Sequence, residues 1–550
     1  MRRETVRGVP ADLATILRDV GSLVAMQSVL MSVTTLVALG FAEWYPALAF
    51  ALAAGVTAGA GLLARRAFAD APAPRMKHGM VIAAGGWFTT ALFGALPLLL
   101  AAHLTPTAAM AAFVPAGASW DPVTVWGVTS RSSLVYFRDP LHALFESMSG
   151  WTGSGLTMAV HEPSLPHAVQ WWRSFIQWVG GVGVIVLTVS ILARPGSGSY
   201  ALYRSETREE RIHPSVVSTV RTVWKIFVGY TVFAVVLLFG AIVASAPDLP
   251  VGEAAWQAVN HAMTGLSTGG FSVTDNSIET YNSPLIEGVL LPVMTLGAIA
   301  FPVHYGILKN RDLRPLVSDL QTRWLFVLLL VGSVLLVAQN LLFAARLGTL
   351  GTFVEVTGVS AARVDAARDG VFQFVSALTC TGFQSSPIGR WSDGGKLILA
   401  GAMTVGGAAG STVGGIKVIR AYTVSKGIRW QFSRVFLPAS AVVTATLGDR
   451  RLAREEMERE FSEAAIVSLL WLIVLFASAL VLTNVTGAPF VDAFFEVASA
   501  QGNVGLSTGI TGPTMPRLAE AMFLLNMWVG RLEIIPILVF VRAALYGLNP

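Results

Sequence analysis

The chain is poor in the residues that build disulfides and metal centres. It has one cysteine, Cys380, among 550 residues, which excludes an internal disulfide and any cysteine-based metal cluster. Its eight histidines follow no H-E-x-x-H or comparable ligand spacing. The sequence therefore offers no basis for a metal-dependent active site, and we expect no cofactor in this chain.

Charged residues are also scarce. Asp, Glu, Lys and Arg make up 13% of the chain and hydrophobic residues 54%, whereas roughly 25% of a soluble domain is charged. This balance predicts a polytopic membrane protein that contacts the lipid bilayer. The net charge of +5 does not indicate nucleic-acid binding, because the position of the basic residues decides such a case better than their number.

Ten apolar segments are long enough to cross a hydrocarbon core of about 30 Å. The first two are predicted to form an N-terminal hairpin that is broken at 43–46. The basic N-terminus is followed by no clear cleavage site, and we expect it to be retained. The ten segments are 20–41, 45–64, 80–102, 171–192, 224–245, 286–308, 324–344, 395–425, 463–483 and 518–546.

The basic residues indicate how these spans are oriented. Of the 38 Lys and Arg residues, 28 fall in segments on one side of the predicted spans, and the connection 247–285 has none. The positive-inside rule then places the N-terminus and the basic segments in the cytoplasm. The opposite connections are predicted to face outwards.

One sequence pattern occurs four times, each time between two predicted spans. A polar residue, a short apolar run and a terminal glycine keep the same register. The four pairs, each nine positions apart, are Glu146 and Gly155, His261 and Gly270, Gln373 and Gly382, and Glu496 and Gly505. The glycines lie 115, 112 and 123 residues apart, a period that is too long for a solenoid and predicts a ring of four similar units.

The predicted fold is an all-α polytopic membrane protein. Four pseudo-symmetric helix–pore loop–helix repeats surround a central pore, and an N-terminal two-helix hairpin precedes them. The predicted units are the hairpin at 1–76, repeat 1 at 77–195, repeat 2 at 196–310, repeat 3 at 311–430 and repeat 4 at 431–550. The insert 104–138 has no predicted role.

Each repeated segment is predicted to be a short helix followed by a loop of small residues. Glycine permits dihedrals that let successive carbonyls point the same way, and a helix C-terminus adds negative potential. Selective cation pores use carbonyls from four loops to replace the hydration shell of an ion. The alternative is that these small residues only allow close helix packing in lipid. The predicted ion ligands are the carbonyls of Thr152, Gly153, Ser154, Gly155, Ser267, Thr268, Gly269, Gly270, Thr379, Cys380, Thr381, Gly382, Gly502, Asn503, Val504 and Gly505.

Glu146 and Glu496 open two of the four segments. A carboxylate within a membrane is costly and is usually functional or paired. We expect both to support the filter by accepting backbone N–H groups behind it and by adding negative potential. The alternative is a solvated carboxylate at the outer surface.

Residues 404–416 interrupt an otherwise apolar span. So many glycines do not form a stable helix interior, and irregular backbone at membrane depth must be buried in protein or line a water-filled cavity. A phosphate-binding loop at 410–417 is the alternative, but Val418 stands where that motif has Ser or Thr and no strand precedes it. The predicted gating loop consists of Gly406, Gly407, Gly410, Ser411, Thr412, Gly414, Gly415 and Lys417.

Two arginines in the predicted spans need an explanation. Arg531 lies well inside the last span, where an unpaired guanidinium is costly. It is predicted to be a pore charge that limits ion occupancy and helps to hold the closed state, or else to form a structural ion pair with another helix. Arg173 and the neighbouring Trp171, Trp172 and Trp178 are expected to lie at the membrane interface.

Further stretches carry a resemblance to a known family. They are 172–186 (W-R-S-F-I-Q-W-V-G-G-V-G-V-I-V), 202–206 (L-Y-R-S-E) followed by Pro214, 406–420 (G-G-A-A-G-S-T-V-G-G-I-K-V-I-R) and 530–534 (G-R-L-E-I). With the four loops, they make the chain resemble the potassium-transporting subunit of the Trk/Ktr/HKT superfamily over residues 15–547. The two extra N-terminal spans favour the Trk branch.

The resemblance implies an ion and partners. In plant members a serine at the end of the first loop goes with sodium preference, so glycine at all four ends implies a potassium path. The first loop has Thr-Gly-Ser-Gly at 152–155 where the family usually has Thr-Thr-Thr-Gly, and we expect it to be less stiff. The resemblance also implies a homodimer and a cytoplasmic nucleotide-binding regulatory subunit that carries NAD(H) or ATP/ADP. The stretch 426–460 is its predicted docking surface, or else a solvated connector.

The predicted function is K+ uptake across the bacterial inner (plasma) membrane, through the filter and under control of the gating loop and the cytoplasmic subunit. A sodium-coupled or sodium-permeable transporter of the same fold is one alternative. A membrane-embedded enzyme acting on lipid-linked substrates is another, but no group of catalytic residues has convincing spacing near the spans. We therefore do not expect an enzyme.

Overall fold

The computed structural model describes residues 5–192, 215–343, 361–436, 445–448 and 450–548. The motif at 202–206, Pro214 and the predicted boundary at 195 lie outside the described residues. The helices are α1 (Ala11–Gly40), α2 (Trp44–Ala67), α3 (Met76–Leu104), α4 (Thr107–Ala111), α5 (Pro140–Thr152), α6 (His167–Leu192), α7 (Val216–Ser245), α8 (Val251–Leu266), α9 (Pro284–Ala298), α10 (Phe301–Asn310), α11 (Pro315–Ser318), α12 (Leu320–Phe343), α13 (Ala361–Leu378), α14 (Asp393–Thr404), α15 (Val418–Arg434), α16 (Arg454–Thr486), α17 (Phe490–Gly502), α18 (Arg517–Leu532) and α19 (Ile534–Tyr546).

Strands occur in the described part only as three short antiparallel hairpins in the connections. They are β1 (Thr5–Val6) with β2 (Val9–Pro10), β3 (Val123–Val125) with β4 (Val128–Ser130), and β5 (Ala445–Leu447) with β6 (Arg450–Leu452). The fold is therefore that of a helical membrane protein, as the composition predicts.

Helices α1 and α2 form the predicted N-terminal hairpin and pack closely. A methyl group built on Gly61 would lie less than 3.0 Å from the backbone nitrogen of Ala25, and small residues allow such an approach between helices in a membrane. The buried Glu43 carboxylate accepts the backbone N–H groups of His167 and Ala168 at 2.6 and 3.0 Å. The hairpin is thereby tied to the first turn of α6.

Four short helices, α5, α8, α13 and α17, each end in one of the four predicted loops. The first begins at a sequence signal, because Asp139 accepts the N–H of Leu141 at 3.0 Å and Pro140 occupies the first helical position. It ends at Gly153, which has φ +70°. After each loop the chain continues into α6, into α9 and α10, into α14 and α15, and into α18 and α19, respectively.

Two predicted spans are bent instead of continuous. Helices α9 and α10 meet at 105°, and α18 and α19 meet at 116°. The spans predicted over 286–308 and 518–546 are therefore each broken, at 299–300 and at Glu533. Pro302 has no N–H to donate to the carbonyl of Ala298, which accepts the N–H of Ala408 instead at 3.2 Å. Glu533 has φ +59°, a backbone conformation that ends a helix.

Six helices of the described ranges are long and apolar enough to cross a membrane, or eight if each bent pair is one span. Of the other two predicted spans, 171–192 belongs to α6. The span 395–425 is interrupted between Thr404 and Val418, as the sequence predicts.

The insert 104–138 is folded. It contains α4, the β3–β4 hairpin and a 3-10 turn at Ser133–Arg138. The insert is fastened at its end, because the Ser132 hydroxyl donates to the carbonyl of Ser164 at 2.5 Å and Arg138 donates to that of Ala102 at 3.0 Å. These contacts hold the start of α5 in place.

Candidate functional site

The four glycine loops meet in a closed ring. A methyl group built on the last glycine of each loop would lie less than 3.0 Å from a carbonyl oxygen of the next loop in chain order, and the fourth loop meets the first. The four contacts run from Gly155 to Gly269, from Gly270 to Thr381, from Gly382 to Val504 and from Gly505 to Ser154. In every case the carbonyl belongs to the residue just before the last glycine of the next loop. The ring therefore has fourfold pseudo-symmetry at the level of single atoms.

The backbone of the loops repeats as well. The last glycines have φ values of +74°, +75°, +81° and +106°, in a region that glycine enters without steric cost. The position two residues earlier is also left-handed in all four loops, with Gly153 at +70°, Thr268 at +53°, Cys380 at +52° and Asn503 at +56°. This second left-handed position was not predicted, because Thr and Cys rarely adopt that conformation. The sequence signal for this conformation is that Gly and Asn stand at the equivalent position in two of the four aligned loops.

A hydrogen bond from each loop to its helix accompanies this geometry. The residue before the last glycine donates its N–H to the carbonyl five positions earlier, which a helix end leaves without a partner. The four bonds are Ser154 to Ser149 at 2.9 Å, Gly269 to Thr264 at 2.8 Å, Thr381 to Ser376 at 2.9 Å and Val504 to Ser499 at 2.9 Å. Each loop is thus fixed against the C-terminus of its own short helix.

Glu146 is buried behind the first loop. Its carboxylate accepts the N–H of Met158 at 2.8 Å and the hydroxyl of Thr157 at 2.9 Å, and it pairs with Arg173 at 2.6 Å. Arg173 also donates to the carbonyl of Ser272 at 2.9 Å, so it joins the first loop to the second. The expectation that Arg173 anchors the membrane interface is wrong, because its side chain is 1% exposed and its charge is balanced inside the protein.

The tryptophans beside Arg173 differ from one another. Trp172 is fully buried and donates its indole N–H to the carbonyl of Gly94 at 3.1 Å. Its predicted place at the interface is therefore wrong. Trp171 and Trp178 are half-buried, which is compatible with an interface position.

Glu496 is buried in the same way behind the fourth loop. Its carboxylate accepts the N–H groups of Thr508 and Ile510 at 2.7 and 3.2 Å and the hydroxyls of Ser507 and Thr511 at 2.6 and 2.7 Å. Within the described residues it has no basic partner. The alternative of a solvated surface carboxylate is wrong for both Glu146 and Glu496.

Uncharged residues take the equivalent place in the other two repeats. The ring of His261 lies 2.9 Å from the hydroxyl of Ser272. The amide of Gln373, oriented to satisfy its hydrogen bonds, donates to the carbonyl of Phe383 and accepts the N–H of Ser385, both at 3.1 Å. In all four repeats the side chain nine residues before the last glycine therefore contacts the segment that follows the loop.

The Glu146–Arg173 pair gives a first prediction. Glu146→Gln removes the nearer counter-charge of the buried Arg173 guanidinium and leaves it with Glu162, whose carboxylate lies 3.9 Å away, and breaking such a buried pair costs about 3–5 kcal/mol. We expect a clear drop in the midpoint of thermal unfolding of the purified protein. In the control, Glu458→Gln breaks the Arg434–Glu458 pair, whose side chains are 31% and 43% exposed, and should cost about 1 kcal/mol or less. Equal midpoints for the two variants would contradict the structural role of Glu146.

The predicted gating loop packs against the ring. Its two ends are joined, because Gly406 donates to Ile416 at 2.8 Å and Ile416 to Thr404 at 3.0 Å. A methyl group on Gly414 would lie 2.5 Å from the carbonyl oxygen of Gly502, at the start of the fourth loop. The loop is preceded by helix α14 and not by a strand, so the phosphate-binding alternative has no structural support.

Arg531 lies between the gating loop and helix α6. Its guanidinium donates to the carbonyls of Thr412 at 2.6 Å and Gly180 at 3.0 Å. Glu533, two residues on, pairs with Arg420 instead. Within the described residues the partners of Arg531 are carbonyl oxygens, so the alternative of a structural ion pair is wrong there.

Two contacts of the ring were not predicted. Gln177 on α6 donates to the carbonyl of Gly269 at 2.6 Å and accepts the N–H of Phe271 at 3.0 Å. The Asn503 amide donates to the hydroxyl of Ser154 at 2.8 Å and joins the fourth loop to the first. Both side chains connect repeats that are distant in sequence, and no local pattern signals such contacts.

The sequence of the chain was compared with known protein families. A family model described as "TrkH: Cation transport protein" matches residues 78–546, which is most of the chain. The chain belongs to the TrkH family of cation transport proteins. TrkH proteins are transporters, so this chain is a multi-pass membrane transport protein, and the alternative of a membrane-embedded enzyme is wrong.

Individual TrkH-family relatives agree. An uncharacterized cation transporter of Methanocaldococcus jannaschii is 31% identical over 84% of this chain and 82% of its own length. The Trk system potassium uptake protein TrkH of Halomonas elongata is 29% identical over 97% of this chain and 99% of its own. The crystal structure of the potassium transporter TrkH from Vibrio parahaemolyticus superposes with a TM-score of 0.74 and 24% identity, over 97% of this chain and 99% of that one. That likeness shows the shared fold.

Proposed function

We propose that this chain takes up K+ through the ring of four loops. The observation that carries the proposal is the closed contact ring. In it the last glycine of each loop packs against the carbonyl of the residue just before the last glycine of the next loop. Four loops that present backbone carbonyls are suited to replace the hydration shell of a potassium ion. Relatives that match over most of this chain are named potassium uptake proteins.

The charge around the ring favours a cation. Each loop follows the C-terminal end of a short helix, which carries partial negative charge. Behind the fourth loop the buried carboxylate of Glu496 adds to it, whereas the charge of Glu146 behind the first loop is balanced by Arg173. The membrane potential, worth about 2.3 kcal/mol per charge per 100 mV, would drive the ion inwards. The proposed ligands are the carbonyls of 152–155, 267–270, 379–382 and 502–505.

The gating loop and Arg531 would control the path. The loop packs beneath the start of the fourth filter loop, and Arg531 holds the carbonyl of Thr412. Arg531 places a positive charge beside the ring, since a methyl group on Gly153 would lie 3.7 Å from its Nη1. We propose that conduction requires the loop to move aside.

A sodium-permeable path is the second candidate, and the first loop argues against it. A serine at position 155 would bring its Cβ into the carbonyl oxygen of Gly269. This ring therefore requires glycine at 155, whereas the family resemblance links serine at that position with sodium preference.

A cytoplasmic regulatory subunit and a homodimer remain proposals. The described end of α15 supports a contact with another protein, because Phe432 and Phe436 are 70% and 75% exposed. Residues 437–444 and 449 of the predicted docking stretch lie outside the described residues. The nucleotide on the subunit, NAD(H) or ATP/ADP, and the cytoplasmic N-terminus in a bacterial inner membrane are proposed on the family resemblance.

The test is uptake of radioactive rubidium, a substitute for K+, into proteoliposomes that hold the purified chain. We expect uptake that excess K+ suppresses and excess Na+ does not. Equal suppression by both ions would favour the sodium-permeable candidate. If intact protein shows no uptake, a variant lacking 407–412 decides between a shut gate and a wrong proposal, because removal of the loop should restore flux only in the first case.

A further inference from the structure

Thr412 is a junction between the gating loop and the rest of the molecule. Its hydroxyl donates to the carbonyl of Gly297 at 3.0 Å, and its N–H donates to the same carbonyl at 3.3 Å. Its own carbonyl accepts from Arg531 at 2.6 Å. The bend between α9 and α10 leaves the last carbonyls of α9 without helical partners. The carbonyl of Gly297 can therefore accept both bonds from Thr412.

The same hydroxyl also meets the filter. Oγ1 of Thr412 lies 2.9 Å from Oγ1 of Thr268, and both side chains are buried. A hydroxyl has one hydrogen to donate, and that of Thr412 is given to Gly297. When Thr412 donates to Gly297, Thr268 is the donor in the hydroxyl pair, which gives a relay from Thr268 to Thr412 to the Gly297 carbonyl.

Thr268 has an unfavourable backbone conformation that the equivalent position shares in all four loops. Its φ of +53° is uncommon for a β-branched residue, and such outliers persist only where the surroundings determine them. Glycine occupies the equivalent position in the first loop, at Gly153, so the backbone alone does not need a threonine. What threonine adds at this position is the hydroxyl that reaches the gating loop.

We propose that Thr268 is a positioning residue that fastens the gating loop to the second filter loop, so that the gating loop leaves its place only when the Thr268–Thr412 hydroxyl bond breaks. This inference rests on the proposed function of the ring and the loop. It assigns a direct mechanical link between filter and gate to one pair of side chains.

The link predicts a specific pattern of variants in the rubidium assay. Thr268→Val and Thr412→Val each remove one hydroxyl at nearly constant volume. Loss of one hydrogen bond of ordinary strength should let Thr268→Val raise uptake about fivefold. Thr412→Val also removes the hydroxyl bond to Gly297 and should raise uptake at least as much. The double variant should raise it no further than Thr412→Val alone, because the Thr268–Thr412 bond is already absent there. Thr268→Ser keeps the hydroxyl, so it should not show the rise in uptake that Thr268→Val shows.

The control is Thr295→Val on α9. Among the described residues its hydroxyl bonds only to the carbonyl of Leu291 in its own helix, at 2.8 Å, so the same replacement two residues before Gly297 should leave uptake unchanged. Fully additive effects of the two variants, or uptake unchanged in both, would overturn the link. Absence of uptake from wild type and from the variant lacking 407–412 would instead overturn the proposed function.

A second readout does not depend on transport. Amide hydrogen exchange of residues 405–417, followed by mass spectrometry on the full-length protein, should be about fivefold faster in Thr268→Val than in the wild type. Thr295→Val should not change it. Equal exchange in wild type and Thr268→Val would show that the hydroxyl does not hold the loop, and would overturn the inference even if uptake had risen.

Discussion

Replacing Gly382 with alanine is expected to abolish potassium-selective uptake. The residue has φ +81°, where an L-residue is strained by about 1–2 kcal/mol. Its new Cβ would also collide with the carbonyl oxygen of Val504 in the next loop. The obstacle is backbone and not a flexible side chain, so the ring must open to admit the methyl group. We expect rubidium uptake to fall at least tenfold, or its suppression by K+ over Na+ to disappear.

A matched glycine separates collision from strain. Gly509, beyond the fourth loop, has φ +99° and no atom within 4 Å of a Cβ built on it. Gly509→Ala therefore introduces a similar strain without a collision, and uptake should stay near that of the wild type. Both variants should elute as intact protein from size-exclusion chromatography. Wild-type selectivity in well-folded Gly382→Ala would show that the closed ring is not the filter.

Loss of Arg531 is expected to open the path. Arg531→Gln removes the charge beside Gly153 and weakens the bridge from the carbonyl of Thr412 to that of Gly180. Hydrogen bonds from a charged group are worth about 1.5–3 kcal/mol, which corresponds to roughly a ten- to hundredfold shift towards the open state. We expect uptake without a regulatory subunit to rise by that order.

A lysine variant tells the two roles of Arg531 apart. Arg531→Lys keeps the charge but lacks the planar fork that reaches two carbonyls at once. Uptake as high as in Arg531→Gln would mean that the bridge matters, and uptake near that of the wild type would mean that the charge matters. The surface variant Arg459→Gln serves as the control, since that side chain is 64% exposed. Lower uptake in Arg531→Gln, from protein of normal stability, would contradict a gating role.

The ring could be located from the sequence because its requirements are local. A glycine at the end of each loop, a polar residue nine positions earlier and a short helix between them are all visible in the order of residues. Gly155 and Gly382 were placed in equivalent positions on this ground alone. The broken span around 404–416 was predictable for the same reason, because the glycines that prevent a helix lie within the segment itself.

The remaining features depend on contacts between distant segments. The burial of Arg173 follows from Glu146, which is far from it along the chain, whereas the neighbouring Trp171 and Trp172 suggested the membrane interface. The bend at 299–300 is stabilised by the gating loop, because the N–H of Ala408 donates to the carbonyl of Ala298. The left-handed conformation of Thr268 belongs to the backbone pattern of the four loops, and its hydroxyl partner Thr412 lies in another repeat. Sequence patterns read one segment at a time do not contain these partners.

The most direct test of the ring as a potassium filter is rubidium uptake by wild type and Gly155→Ser in proteoliposomes, with K+ and Na+ as competitors. In the wild type, K+ should suppress uptake and Na+ should not. In Gly155→Ser, the clash with Gly269 should remove this difference. Unchanged discrimination between K+ and Na+ in the variant would contradict the assignment of the four loops as the filter.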